Sequence, residues 1–293
     1  MSLDLSIFDL PTPVRELEEI YQQYGVHLFV KEDYLNHPII SGNKMRKLLG
    51  NLRHYASGNY KGILSFGGAH SNHLYAMAGV CRLFDIPLTM IVRGDGYDNS
   101  NETLRYAKES GVNLQFVDRA AYRMKLEATE IQKIVDQHDG YFIIPEGGSN
   151  VYANEGLKIL YDELTEPYDF IALSMGTGGT AAGLLQASKS ERLVIYPALK
   201  GNWMETHLKE FFGIEESLAQ RMTMRNHYHF GGYGKMPDEL IVFINEIESR
   251  YQLPLDPVYT SKAFYGILED IKLGFYPAGS NILFLHTGGL RRQ

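Results

Sequence analysis

The 293-residue chain contains one cysteine and one tryptophan. A lone cysteine, Cys81, excludes an internal disulfide and a cysteine-rich metal site. Its setting in AMAGVCRLF (76–84) reads as a buried helix face, so packing rather than nucleophilic chemistry is its expected role. No apolar run reaches the roughly 20 residues of a membrane span. Basic residues are in deficit: 28 Lys and Arg against 35 Asp and Glu leave a net charge of -7, which argues against a nucleic-acid surface. The start, MSLDLSIFDLPTP, lacks the basic-then-apolar order of a leader peptide, and cytoplasmic location is the expectation. Neither a repeat at solenoid period nor a Pro/Gly/Ser linker is visible.

Apolar runs of strand length alternate with helical periodicities. GILSF (62–66), LTMIVR (88–93), LQFVD (114–118), YFIIPE (141–146), DFIALSM (169–175), RLVIYPA (192–198) and NILFLHTGG (281–289) read as strands. HSNHLYAMAGVCRLF, NETLRYAKES, RMKLEATEIQKIVDQ, ANEGLKILYDEL and GTAAGLLQAS read as the helices between them. That alternation predicts an α/β fold of βαβ units, with mostly parallel sheets flanked by helices. Right-handed crossovers place the strand-to-helix turns at the carboxyl edge of a sheet, where such folds bind ligands.

Three of those turns are glycine-rich: GGAHSNH (67–73), EGGSN (146–150) and GTGGT (176–180). In the last, Gly176, Gly178 and Gly179 let backbone N–H groups converge on an anion at a helix N-terminus, and Thr177 and Thr180 add hydroxyls. The spacing is neither a P-loop nor a dinucleotide fingerprint; a tight turn with a Thr cap is the plainer alternative. Ser71 and Asn72 stand where a strand passes into a helix and suit a carboxylate or a phenolic oxygen, or a simple helix cap. His70 and His73 are three apart, without acidic or cysteine partners at metal-ligand spacing, so no metal site is expected.

SGNKMRKLL (41–49) opens a helix with Lys44, Arg46 and Lys47 where the helix dipole would favour acids. Taken alone it reads as a solvated basic turn. Lys44 and Lys47 share a face at i, i+3 and would be favourable against a bound anion; Arg46 is expected to point elsewhere, to solvent or to an acid. Tyr233 and Tyr259 lie in GGYGKMPDEL and LDPVYTSKAFYGI, two of 20 tyrosines.

In order along the chain, SGNKMRKL, SFGGAHSNH, IPEGGSN, GTGGTAAG, GYGKMPDE, DPVYTSKAFYG and LFLHTGG resemble the 1-aminocyclopropane-1-carboxylate deaminase / D-cysteine desulfhydrase family. These are pyridoxal 5'-phosphate enzymes of fold type II, tryptophan-synthase-β-like. The resemblance implies two α/β domains with open twisted sheets, a small one at 50–155 inserted into a large one of 1–49 plus 156–293. It implies that Lys44 links covalently to the cofactor. Lys47 and the turn Gly176, Thr177, Gly178, Gly179, Thr180 would hold its phosphate, Asn72 its phenolic oxygen, and Thr287 would approach its pyridine ring. Ser71 and His73 would form the substrate-carboxylate pocket with Asn72, and Tyr233 and Tyr259 would be the active-site tyrosines. A homodimer and a small amino-acid substrate are also implied.

Two departures stand out. His73 occupies a position where the deaminases have Gln, and Thr260 one where they have Glu facing the pyridine nitrogen. A neutral hydroxyl stabilises a protonated ring less than a carboxylate does. The expected reaction is therefore β-elimination, D-cysteine to pyruvate, hydrogen sulfide and ammonia, rather than cyclopropane opening to 2-oxobutanoate and ammonia. A non-catalytic protein binding pyridoxal phosphate or a phosphosugar is the alternative outside enzymes.

Overall fold

The computed structural model describes residues 3–290. Its strands are β1 (Val14–Glu16), β2 (His27–Lys31), β3 (Gly62–Gly68), β4 (Leu88–Arg93), β5 (Asn113–Val117), β6 (Tyr141–Ile144), β7 (Phe170–Met175), β8 (Arg192–Pro197), β9 (Met222–Met224) and β10 (Asn281–Leu285). Its helices are α1 (Glu18–Tyr24), α2 (Gly42–Ser57), α3 (Asn72–Phe84), α4 (Glu102–Glu109), α5 (Arg119–Met124), α6 (Thr129–Asp136), α7 (Ala153–Asp162), α8 (Gly179–Ala187), α9 (Met204–Phe212), α10 (Glu216–Ala219), α11 (Asp238–Tyr251) and α12 (Thr260–Lys272). The described chain divides into two compact units. The smaller takes the residues up to Ile7 and Lys44–Gly156; the larger takes Phe8–Asn43 and the chain from Leu157 onward. The small domain implied by resemblance, 50–155, leaves out the first turns of α2.

The smaller unit carries a four-stranded sheet in the order β5-β4-β3-β6, parallel throughout. Leu64, Phe66, Ile91 and Val117 pack there with Tyr122 and Ile131. The larger unit carries six strands in the order β1-β2-β10-β7-β8-β9, parallel except for the β1–β2 pair. Successive residues of β7, β8 and β10 feed opposite cores. Ala172, Val194, Tyr196, Ile282 and Phe284 enter one; Ile171, Leu173, Leu193, Ile195, Leu283 and Leu285 enter the other. Strand side chains alternate in direction, so a sheet covered on both faces needs apolar residues at every position, which is why these strands read as unbroken runs.

The periodicity at 123–137 predicts one helix, but the structure interrupts it. α5 ends at Lys125, which takes φ 52°, and α6 restarts at Thr129. Lys125 there lies 3.1 Å from the Tyr122 ring centroid and 2.9 Å from the Glu146 carboxylate, contacts that local pattern does not encode. Among the described residues, no helix is long and apolar enough to cross a membrane.

Candidate active site

The residues singled out by sequence fall into two sets, one in each unit. In the smaller unit, α2 brings Lys44 and Lys47 onto neighbouring turns, and the chain around them is closely fitted. A Cβ at Gly156 would collide with the Arg46 carbonyl, and one at Gly50 with the Tyr152 carbonyl. Asn51 donates to the Lys47 carbonyl at 2.8 Å and accepts from Asn150 at 2.7 Å, which holds the 146–150 turn against α2. Arg46 is 0% exposed, so of the two placements expected for it, solvent or an acid, solvent is ruled out.

Lys47 is 1% exposed and donates to Ser149 Oγ at 3.2 Å. Burial, then the charge of Lys44, holds its ammonium well below the usual lysine range. Ser71 caps α3, its hydroxyl accepting from the His73 and Leu74 N–H groups at 3.1 and 3.4 Å, and Asn72 is the first residue of that helix.

His73 lies behind this edge, 1% exposed. Ser65 has a single hydroxyl proton, given to the Ile144 carbonyl at 2.7 Å, so its oxygen accepts from His73 Nε2–H at 2.8 Å. His73 Nδ1 is then a lone-pair acceptor, buried and without a partner. Burial first, then the charges of Lys47 and Lys44, push the imidazole well below its ordinary pKa. The sequence expectation of a substrate contact meets a side chain closed off on the Ser65 side and open in hydrogen bonding only at Nδ1.

In the larger unit the GTGGT turn follows β7 and opens α8. Gly178 adopts φ 90° and no side chain caps the helix, so the first-turn N–H groups have no intrahelical partner. Thr180 Oγ1 accepts from Asn43 Nδ2 at 2.8 Å. The Tyr259 ring closes over Gly176, where a Cβ would come within 2.9 Å of it, and meets the Tyr233 ring edge-on at 6.0 Å. Thr287 faces Ser174 across the ends of β10 and β7, hydroxyl to hydroxyl at 3.2 Å.

Thr260, 0% exposed, is tied into its own turn. Its Oγ1 accepts from the Asp256 N–H at 2.7 Å, while Asp256 Oδ1 accepts from the Val258 and Tyr259 N–H groups. Two residues escape a reading of the sequence. Asn43 donates to both Thr180 and the Thr287 carbonyl, and Ser174 pairs with Thr287; only their places in SGNK and SMGT hint at either. Gly42 at φ 63° lies so close to the Thr287 carbonyl that no side chain fits.

Each unit by itself carries features suited to a phosphate-bearing group. A buried lysine held below its usual range by desolvation and a like charge is suited to an anion, and the orphaned His73 Nδ1 leaves a buried acceptor to be satisfied. The uncapped Gly-rich helix start offers phosphate donors. Residues 5–288 match the family model described as pyridoxal-phosphate dependent enzyme. A Thermotoga maritima protein named "Putative 1-aminocyclopropane-1-carboxylate deaminase" is 31% identical, over 99% of this chain and 96% of its own length. The Arabidopsis thaliana mitochondrial bifunctional D-cysteine desulfhydrase/1-aminocyclopropane-1-carboxylate deaminase is 26% identical, over 97% of this chain and 78% of its own. The crystal structure of an ACC deaminase homologue matches with a TM-score of 0.82 at 27% identity, covering 97% of this chain and 91% of that one.

Proposed function

The chain belongs to the pyridoxal-phosphate-dependent enzyme family, and from that premise we propose that it eliminates thiolate from the β-carbon of D-cysteine, giving pyruvate, hydrogen sulfide and ammonia. The observation that carries this reading is Thr260, a buried neutral hydroxyl bonded to Asp256 main chain at a position where a cyclopropane deaminase is expected to hold a carboxylate. Pyridoxal phosphate, when bound, supplies the electron sink that makes an amino acid's α-C–H bond breakable. A ring less strongly held in its protonated form suffices for a good leaving group such as thiolate. Opening a cyclopropane, which has no α-proton to lose, asks more of it.

Lys44 would hold the cofactor through Nζ, and the same amine would serve as general base for the substrate's α-proton. Lys47 would serve the phosphate as a cation, and the Gly176–Thr180 turn would offer it backbone donors. Ser71 uses its hydroxyl oxygen for the α3 cap, which leaves its proton to donate to the substrate carboxylate. Asn72 would donate to the cofactor's phenolic oxygen. Tyr259, braced against Gly176, orients the substrate with Tyr233.

The second reading, deamination of 1-aminocyclopropane-1-carboxylate to 2-oxobutanoate and ammonia, is favoured by the name of the Thermotoga relative. Parallel assays of sulfide from D- and L-cysteine and of 2-oxobutanoate from the cyclopropane acid decide between them. Sulfide from D-cysteine in excess supports the proposal, and 2-oxobutanoate alone overturns it. Lys44→Ala is expected to abolish the visible absorption of the cofactor-loaded protein; a band that survives dialysis of that variant refutes the role of Lys44.

A further inference from the structure

Between β9 and α11 the chain runs from Arg225 to Pro237 with no helix or strand to hold it. This segment carries Tyr233, whose side chain is 43% exposed. Its backbone is irregular: Phe230, Gly231, Gly232 and Gly234 have φ of 51°, 85°, 113° and 68°. It folds on itself through Gly231 N–H to His229 Nδ1 at 3.0 Å and Gly232 N–H to the His229 carbonyl at 3.0 Å.

Into this turn reaches Lys262, the third residue of α12. It is 1% exposed, and its ammonium donates to the His229 carbonyl at 3.0 Å and to the Gly232 carbonyl at 2.8 Å. Farther along, Phe230 meets the Tyr265 ring edge-on at 4.9 Å. Lys262 thus anchors the loop to α12 at the carbonyl of the residue immediately before Tyr233. Tyr259, at the start of the same helix, is already fixed by its N–H to Asp256 and by Gly176. Tyr233 depends on its loop.

We propose that Lys262 is a positioning residue for the reaction: by gathering the His229 and Gly232 carbonyls it fixes the loop that presents Tyr233 to Tyr259, and so sets the affinity for the amino-acid substrate. This rests on the reading above that the two tyrosines touch substrate. Lysine suits the task because one compact ammonium can serve two carbonyls from a flexible apolar stem.

The test uses the cofactor-loaded enzyme and whichever of D-cysteine and the cyclopropane acid it turns over. Lys262→Met keeps the length and the apolar stem but loses the donors. Amide exchange over 229–235 is expected to quicken, with the cofactor's visible band and affinity unchanged. KM rises about tenfold while kcat moves less than about threefold, and Lys262→Arg recovers part of the loss. Combined with Tyr233→Phe, the effect is no larger than that of the stronger single variant, because the two act through one contact.

Unchanged exchange over 229–235 overturns the clamp, and so does a double variant whose losses multiply. If Tyr233→Phe alone leaves KM unmoved while Lys262→Met still loosens the loop, the tyrosine reading has failed, and the substrate half of the proposal fails with it. If Tyr233→Phe raises KM and Lys262→Met does not, the proposal alone has failed.

Discussion

Lys47→Met separates what the fold tolerates from what the cofactor requires. In the protein without cofactor, Lys47 is a 1%-exposed ammonium bonded to the Ser149 hydroxyl with a like charge nearby. Methionine fills a similar volume with no charge to desolvate. The variant forfeits its hydrogen bond to Ser149, about 1 kcal/mol, and is relieved of a buried-ion penalty of several kcal/mol. The apoprotein is therefore expected to gain about 1–3 kcal/mol in urea unfolding.

Cofactor binding moves the other way. A charge-assisted hydrogen bond from lysine to phosphate is worth about 1.5–3 kcal/mol, so without it affinity falls about 10- to 150-fold. At a cofactor concentration of about 100 Kd the wild type gains about 2.7 kcal/mol from binding. A variant about 100-fold weaker gains about 0.4 kcal/mol at the same concentration. Cofactor should thus shift the difference by about 2.3 kcal/mol in favour of the wild type: the variant lies above the wild type without cofactor, and the gap is reversed or cut to under about 1 kcal/mol with it. Titration of the visible band gives the affinities, and urea melts with and without cofactor give the stabilities. An apoprotein destabilised by Lys47→Met with unchanged cofactor affinity refutes the reasoning, since Lys47 would then be a satisfied structural cation.

Further outcomes are expected elsewhere. Thr260→Glu removes the acceptor of the Asp256 N–H and puts a carboxylate at a 0%-exposed position; it should cost about 1–3 kcal/mol of stability while raising 2-oxobutanoate formation relative to sulfide, and a ratio that does not rise counts against the role given to Thr260. His286 is buried with Nε2–H donating to the Pro254 carbonyl at 2.7 Å and Nδ1 accepting from Gly288 N–H at 3.3 Å, and burial pulls its pKa from 6.5 down to about 4. Below 6.5 the unfolded chain binds the proton that the fold refuses, so this contribution is complete above pH 6.5 and is lost as pH falls through about 4, a total of about 3 kcal/mol. A His286→Gln variant should lack that part of the slope in urea melts across this range. Asp270, fully buried, accepts from Tyr196 at 2.8 Å, Tyr228 at 2.6 Å and Arg225 Nε at 2.8 Å; Asp270→Ala should cost about 3–5 kcal/mol by leaving the guanidinium and two phenols without their acceptor, and a loss under about 1 kcal/mol would mean the network counts for no more than a surface pair.

The central strands are legible in the sequence because burial on both faces leaves no room for polar residues, as in β7 and β10. β1, β2 and β9 are not. β1 and β9 are three residues long, and β2 ends in a lysine that looks exposed in sequence. Lys31 is in fact 0% exposed, bonded to the Thr12 carbonyl at 2.6 Å and to Glu163 at 2.7 Å, a partner 132 residues away. The same blindness hides the burial of Arg46 and Lys47, because charge patterning assigns cations to solvent until their covering elements are known.

Residue type and order by themselves determined the α/β class and the glycine turns at strand ends, because backbone sterics and apolar alternation act within a few residues; the candidate site residues came from resemblance over seven short segments. Only the tertiary structure decided their states. It fixed the His73 tautomer through the single proton of Ser65, turned the Thr260 hydroxyl back onto Asp256, and closed the Tyr233 loop around Lys262. Desolvation and hydrogen-bond supply depend on what the rest of the chain places around a group, and no local pattern carries that information.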